Sequence, residues 1–70
     1  MYNKDIYNHL DEKFGAFNML LISQGISEMY RYMSENVDNR SQAQDFDFEA
    51  NWWNNAEKNA QNTVNNENTL

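Results

Sequence analysis

Apolar residues recur at helical spacing through the first third of the chain. Steps of four, four, three and four residues predict one helix whose inward face consists of Ile6, Leu10, Phe14, Phe17 and Leu21. Asn3 is placed to cap the start of this helix, and Gly25 suits the left-handed position that ends one. We therefore predict that the first helix ends near residue 24.

A second, shorter helix is predicted directly after the first. Ser27 can cap its start, and helical spacing continues through Ile26, Tyr30, Met33 and Val37. Polar side chains that compete for backbone hydrogen bonds accumulate before Arg40, so the helix should end there. The two N-terminal helices would form a helical hairpin or one bent rod.

The third predicted helix is the longest. Ser41 and Gln44 have the spacing of a capping box at its start. Its apolar stripe is formed by Ala43, Phe46, Ala50, Trp53, Ala56, Ala60 and Val64. The predicted fold is all-α, with one small domain over residues 1–64 and a polar, asparagine-rich tail over residues 65–70 that can be disordered when free.

Several large apolar residues lie outside these predicted inward faces. Neighbours on a helix point about 100° apart, so Trp52 and Trp53 cannot both occupy one narrow stripe. Three short helices in 70 residues have little bulk to cover the remainder. Trp, Tyr, Phe and Met are enriched in interface cores, so we predict a partner-binding surface made of Met19, Ile22, Tyr32, Phe48, Trp52 and Trp53. The partner would be another protein or a second copy of the chain.

Composition excludes several classes of ligand. The net charge is -6, and the five Lys and Arg residues are scattered, which argues against direct binding of nucleic acid or of an anionic membrane. The longest apolar run is four residues, far below the ~20 that span a bilayer. Cysteine is absent, so no disulfide can stabilise the fold. The start resembles no secretion signal, so the expected location is intracellular, either the host cytoplasm or the virion if the protein is viral.

Catalytic and metal-binding patterns are weak. His9 is the single histidine, and Asp5 and Glu12 could form a row with it, but structural zinc sites usually need more Cys and His ligands. Neither a nucleophile motif nor a glycine-rich phosphate loop occurs in the sequence. We therefore predict a non-enzymatic protein without metal, cofactor or small-molecule substrate.

An acidic cluster leaves a second interpretation open. Asp45, Asp47 and Glu49 can be explained by the positive dipole end of the third helix, but they could also stand in for phosphates. The leading hypothesis is a small helical subunit or adaptor of a larger assembly, with a virus particle as one candidate. The alternative is a small acidic phage-type inhibitor that binds a host protein, either through its aromatic patch or by mimicking nucleic-acid charge.

Overall fold

A computed structural model describes residues 2–68 and contains two helices within them. Helix α1 is Asn3–Asn36 and helix α2 is Arg40–Asn68, joined by a three-residue connection. The all-α prediction is confirmed. The predicted number and lengths of the helices are wrong, because helix α1 runs through Gly25 without a break and its one interruption lies ten residues earlier, at Gly15.

Gly15 bends helix α1. Its φ of 82° and ψ of 168° lie in a region that is essentially restricted to glycine. The kink divides α1 into an N-terminal arm, residues 3–14, and a long arm, residues 16–36. Asn18 closes the first turn after the kink, because its side-chain amide donates to the carbonyl oxygen of Phe14 at 2.7 Å.

The two arms of helix α1 run in opposite directions along α2. Asn3 donates a hydrogen bond to Glu49, and the hydroxyl of Ser27 donates one to the carbonyl oxygen of Ala50 at 3.1 Å. In a straight helix, residues 3 and 27 would be about 36 Å apart at 1.5 Å per residue. Both reach the same turn of α2, so the chain reverses at Gly15.

Small residues let the long arm lie close to helix α2. Ser23 and Ser27 are buried on the inner face of the long arm. Opposite them, α2 presents three buried alanines, Ala50, Ala56 and Ala60. Ser34 repeats the Ser27 arrangement nearer the connection, where its hydroxyl lies 3.1 Å from the carbonyl oxygen of Ala43 and donates to Asp47 at 2.6 Å.

The core consists of few large side chains. Met19 and Trp53 are its two largest members, and Ile6, Tyr7 and Leu10 of the N-terminal arm pack against them. The predicted inward stripe of α2 is confirmed, because all seven of its residues are buried or half-buried. The predicted inward positions Ile26, Tyr30, Met33 and Val37 are half-buried as well.

Helix α2 begins differently from the prediction. Asn39, and not Ser41, caps it: the Asn39 Oδ1 accepts from the backbone amides of Ser41 at 2.9 Å and Gln42 at 3.1 Å. The predicted cap Asn3 lies inside α1, and the preceding residue, Tyr2, occupies the cap position. At the far end, α2 includes residues 65–68 of the predicted tail. Residues 69–70 lie outside the described residues, so the disorder of the free tail stays a prediction.

Candidate interaction surfaces

The outer face of the long arm carries large apolar side chains that the fold leaves uncovered. Phe17, Leu21, Met29 and Tyr32 are 60, 54, 49 and 68% exposed, and Gly25 lies at their centre. At 100° per residue these five positions fall within about 120° of arc on one regular helix. We call these four side chains, with Gly25, the outer stripe.

The kink at Gly15 explains why the outer stripe faces solvent. A continuous helix would place Phe17 and Leu21 on the same face as Ile6 and Leu10, as the spacing predicts. The non-helical backbone at Gly15 breaks that phase. The long arm therefore turns Met19 and Ser23 inward, and Phe17 and Leu21 point outward.

The same phase change relocates two predicted partner-binding residues. Met19 is fully buried in the core, and Ile22 is half-buried against it. Neither side chain is an exposed contact point in this fold. Tyr32, by contrast, is exposed as predicted and forms one end of the outer stripe.

A second aromatic surface lies at the start of the N-terminal arm. Tyr2 and Phe48 are 83 and 68% exposed, and with half-buried Trp52 they line a depression of about 320 Å³. We call Tyr2, Phe48 and Trp52 the aromatic patch. Trp53, which was also predicted to bind a partner, is 2% exposed and belongs to the core.

Tyr7 connects the N-terminal arm to both tryptophans. Its ring centroid is 6.3 Å from those of Trp52 and Trp53, and its ring meets Trp52 edge-on. Burial raises the pKa of the Tyr7 hydroxyl, and the negative charge of Asp11 adds to the increase. Beside this ring lies a shallow cleft of about 360 Å³, lined by Lys4, Tyr7, Asn8, Trp52, Asn55, Ala56 and Asn59.

Two members of the acidic cluster have partners inside the fold. Asp47 accepts the hydrogen bond of Ser34, and Glu49 accepts that of Asn3. None of the three carboxylates lies in the first turn of α2. The helix dipole acts mainly on charges in that turn, so it does not account for the cluster as predicted. Asp45 is exposed. Two of the carboxylates that could imitate phosphates therefore hold α2 to the two arms of α1.

The described residues offer little for metal or membrane chemistry. Among residues 2–68, no three His, Asp or Glu side chains gather into a group that could hold a metal ion, and His9 is exposed. Within the same residues, neither helix combines the length and the apolar character needed to cross a bilayer.

Comparison with known proteins adds no functional information. Neither the protein-family models, nor the curated proteins, nor the solved structures include a match to this chain.

Sequence reasoning missed most of the outer stripe. The apolar pattern predicts an interface role for Tyr32, but it places Phe17 and Leu21 on the inward face and gives no role to Met29, although all four are exposed. The available signal was Gly15, since a glycine inside an otherwise periodic helix is a place where the backbone can leave helical geometry. A break at Gly15 would have placed the residues after it in a new phase.

Proposed function

We propose that this chain is a non-enzymatic, protein-binding helical subunit or adaptor of a larger assembly and that it docks through the outer stripe. The observation that carries this proposal is the row of four large side chains, each about half exposed or more, on one face of a regular helix. Scattered exposed apolar residues are ordinary, whereas a contiguous patch of this kind is typical of a binding surface.

The number of exposed large apolar side chains is high for a chain of this size. Seven large apolar side chains are about half exposed or more, against two large ones that are fully or nearly fully buried in the core, Met19 and Trp53. Covering apolar surface stabilises a protein by roughly 25 cal/mol per Å². A partner that covers the outer stripe would therefore supply stability that the core of a small domain provides only sparingly.

A binding role also fits the chemistry of the exposed side chains better than catalysis does. The one histidine is exposed, and the sequence contains no cysteine. The open cleft beside Tyr7 is lined by amides, aromatic rings and one lysine, which gives it no group with the character of a nucleophile and its base.

Co-purification from the native source tests this proposal. Tagged full-length chain is recovered as wild type, as Leu21→Glu and as Gln44→Glu, and bound proteins are quantified by mass spectrometry. Leu21→Glu puts one charge on the outer stripe, while Gln44→Glu adds the same charge at an exposed position on α2. We expect a bound protein, either untagged copies of the chain or a different protein, whose recovery falls at least about tenfold only with Leu21→Glu, corresponding to about 1.4 kcal/mol of binding energy.

A third variant distinguishes the two surfaces. Phe48→Glu places a charge on the aromatic patch and leaves the outer stripe intact. Loss of the partner with Phe48→Glu alone would assign docking to the aromatic patch and contradict the role of the outer stripe. Equal recovery with all variants, each with wild-type helical content by circular dichroism, would contradict the proposal altogether.

A further inference from the structure

Nothing in the structure of the single chain requires a glycine at position 25. Gly25 is inside the long arm of α1 with ordinary helical backbone, is exposed, and has no atom within 4 Å of the position a Cβ would occupy. Glycine is the least favourable residue in a helix interior apart from proline. No contact within the monomer uses its small size, whereas close approach of a second helix would.

The outer stripe has the same order of side chains when it is read from either end. An aromatic residue is followed by an aliphatic one, then by Gly25, then by an aliphatic one and an aromatic one: Phe17, Leu21, Gly25, Met29, Tyr32. Leu21 and Met29 are each four residues from the glycine. In an isologous two-fold interface each residue of the patch meets the residue equally far on the other side of the axis. This order would therefore set aliphatic against aliphatic and aromatic against aromatic side chains.

We propose that the outer stripe pairs with the outer stripe of a second copy of the chain, antiparallel, around a two-fold axis beside Gly25. This inference rests on the proposed function and names its partner. Leu21 of each chain then packs against Met29 of the other, and Phe17 packs against Tyr32. The two glycines face each other, which lets the backbones approach closely at the crossing point.

The charges that flank the outer stripe are compatible with this pairing. Glu28 lies three residues beyond the axis, so the two copies of Glu28 are separated by about 9 Å along the helix direction. Each Glu28 comes beside Gln24 of the second copy, whose amide can donate to the carboxylate. Each chain carries a net charge of -6, so we expect added salt to strengthen the pairing by screening the repulsion.

The area of the outer stripe sets the expected strength of the pairing between two copies. A fully covered aromatic side chain buries about 150–250 Å², so the exposed parts of the four large side chains amount to about 500 Å² per chain. A two-fold contact would cover about 1,000 Å², near the lower limit for a specific interface. We therefore expect a reversible dimer with a dissociation constant on the order of micromolar.

Sedimentation equilibrium on the full chain tests the dimer and its register. We expect Leu21→Glu and Met29→Lys each to weaken self-association at least about tenfold. Mixing the two variants should restore association to near the wild-type level, because the antiparallel register brings the introduced carboxylate beside the introduced ammonium group. A parallel pairing predicts no such rescue. Gln44→Glu, which adds one charge away from the outer stripe, should associate like the wild type.

Gly25→Gln separates association from folding. Glutamine favours the helix more than glycine does, and its Cβ meets no atom of the same chain, so the monomer should be at least as resistant to denaturant. The bulk of the side chain at the crossing point should still reduce association at least about tenfold.

A wild-type chain that stays monomeric at concentrations well above the expected dissociation constant would overturn the dimer, as would unchanged association of Gly25→Gln. Failure of the mixed variants to rescue would overturn the antiparallel register. These outcomes are distinguishable from failure of the proposed function. A monomeric chain that loses a different protein on Leu21→Glu keeps the docking role of the outer stripe and rejects only the second copy as its occupant.

Discussion

Two glycines have opposite roles in helix α1. Gly15 has a positive φ, which side-chain-bearing residues rarely adopt, and this one residue reverses the direction of the chain. Gly25 has helical geometry and open space around it. At both positions an added Cβ would meet no atom of the chain within 4 Å, so backbone conformation decides how alanine changes the stability of the monomer.

Alanine at each glycine should therefore change the free energy of unfolding in opposite directions. We expect Gly15→Ala to destabilise the fold by about 1–3 kcal/mol, the strain of this backbone region for a residue with a Cβ. Gly25→Ala should stabilise it by about 1 kcal/mol through helix propensity. Urea denaturation in dilute solution measures both changes. Equal effects at the two positions would contradict the assigned backbone geometry.

At the scale of elements, the start of α2 depends on one side chain in a short connection. The side-chain oxygen of Asn39 accepts hydrogen bonds from two backbone amides. Its backbone carbonyl oxygen accepts a third, from the amide of Ala43 at 3.0 Å. These bonds satisfy amides that the first turn of a helix leaves without partners. Ser41, two residues later, contributes its backbone amide to this capping, while its exposed side chain is not the cap.

Asn39→Ala should consequently destabilise the protein by about 0.5–2 kcal/mol, the usual contribution of an N-cap. Ser41→Ala is the matched control and should change stability little, because alanine is favoured inside a helix. Thermal unfolding followed by circular dichroism at 222 nm reports the difference. A larger loss for Ser41→Ala would mean that helix α2 begins where the capping-box pattern suggested.

At the scale of the whole molecule, contacts with α2 hold the two arms of α1 in place. The Cα positions extend over 48 × 22 × 13 Å, so the molecule is thin and no residue is far from a surface. Tyr7 is the main aromatic contact of the N-terminal arm, which has few other large side chains against α2. Docking of this arm should be sensitive to the ionisation of Tyr7.

Alkaline pH should weaken the fold through Tyr7. Its pKa is raised in the folded chain, first by burial and then by Asp11, so the folded state holds the phenolic proton more tightly than the unfolded state does. The contribution is complete below the unfolded value of about 10 and is lost as pH rises through the raised folded pKa. Urea titrations across this pH range measure how the free energy of unfolding falls as pH rises. Tyr7→Phe should flatten this fall, and Asp11→Asn should make it smaller. An unchanged slope in Tyr7→Phe would contradict this role.

Local pattern was sufficient for the all-α class and for helix α2. The spacing from Ala43 to Val64 identified the inward face of α2 because a regular helix keeps its phase over its whole length. The same reasoning failed for α1. The apolar spacing predicts a straight helix through Gly15. Glycine commonly ends a helix, so the predicted end fell at Gly25.

Which of two equally permissive glycines becomes the turn depends on tertiary packing. Reversal at Gly15 lets three side chains of the N-terminal arm reach Met19 on the long arm and Trp53 on α2. These side chains are Ile6, Tyr7 and Leu10. The contacts with Trp53 join residues more than forty positions apart, and helical periodicity records only neighbours within a few turns. The sequence by itself therefore determined the all-α class and the inward face of α2. Only the three-dimensional arrangement decided where α1 bends, and thus that Phe17 and Leu21 face outward while Met19 lies in the core.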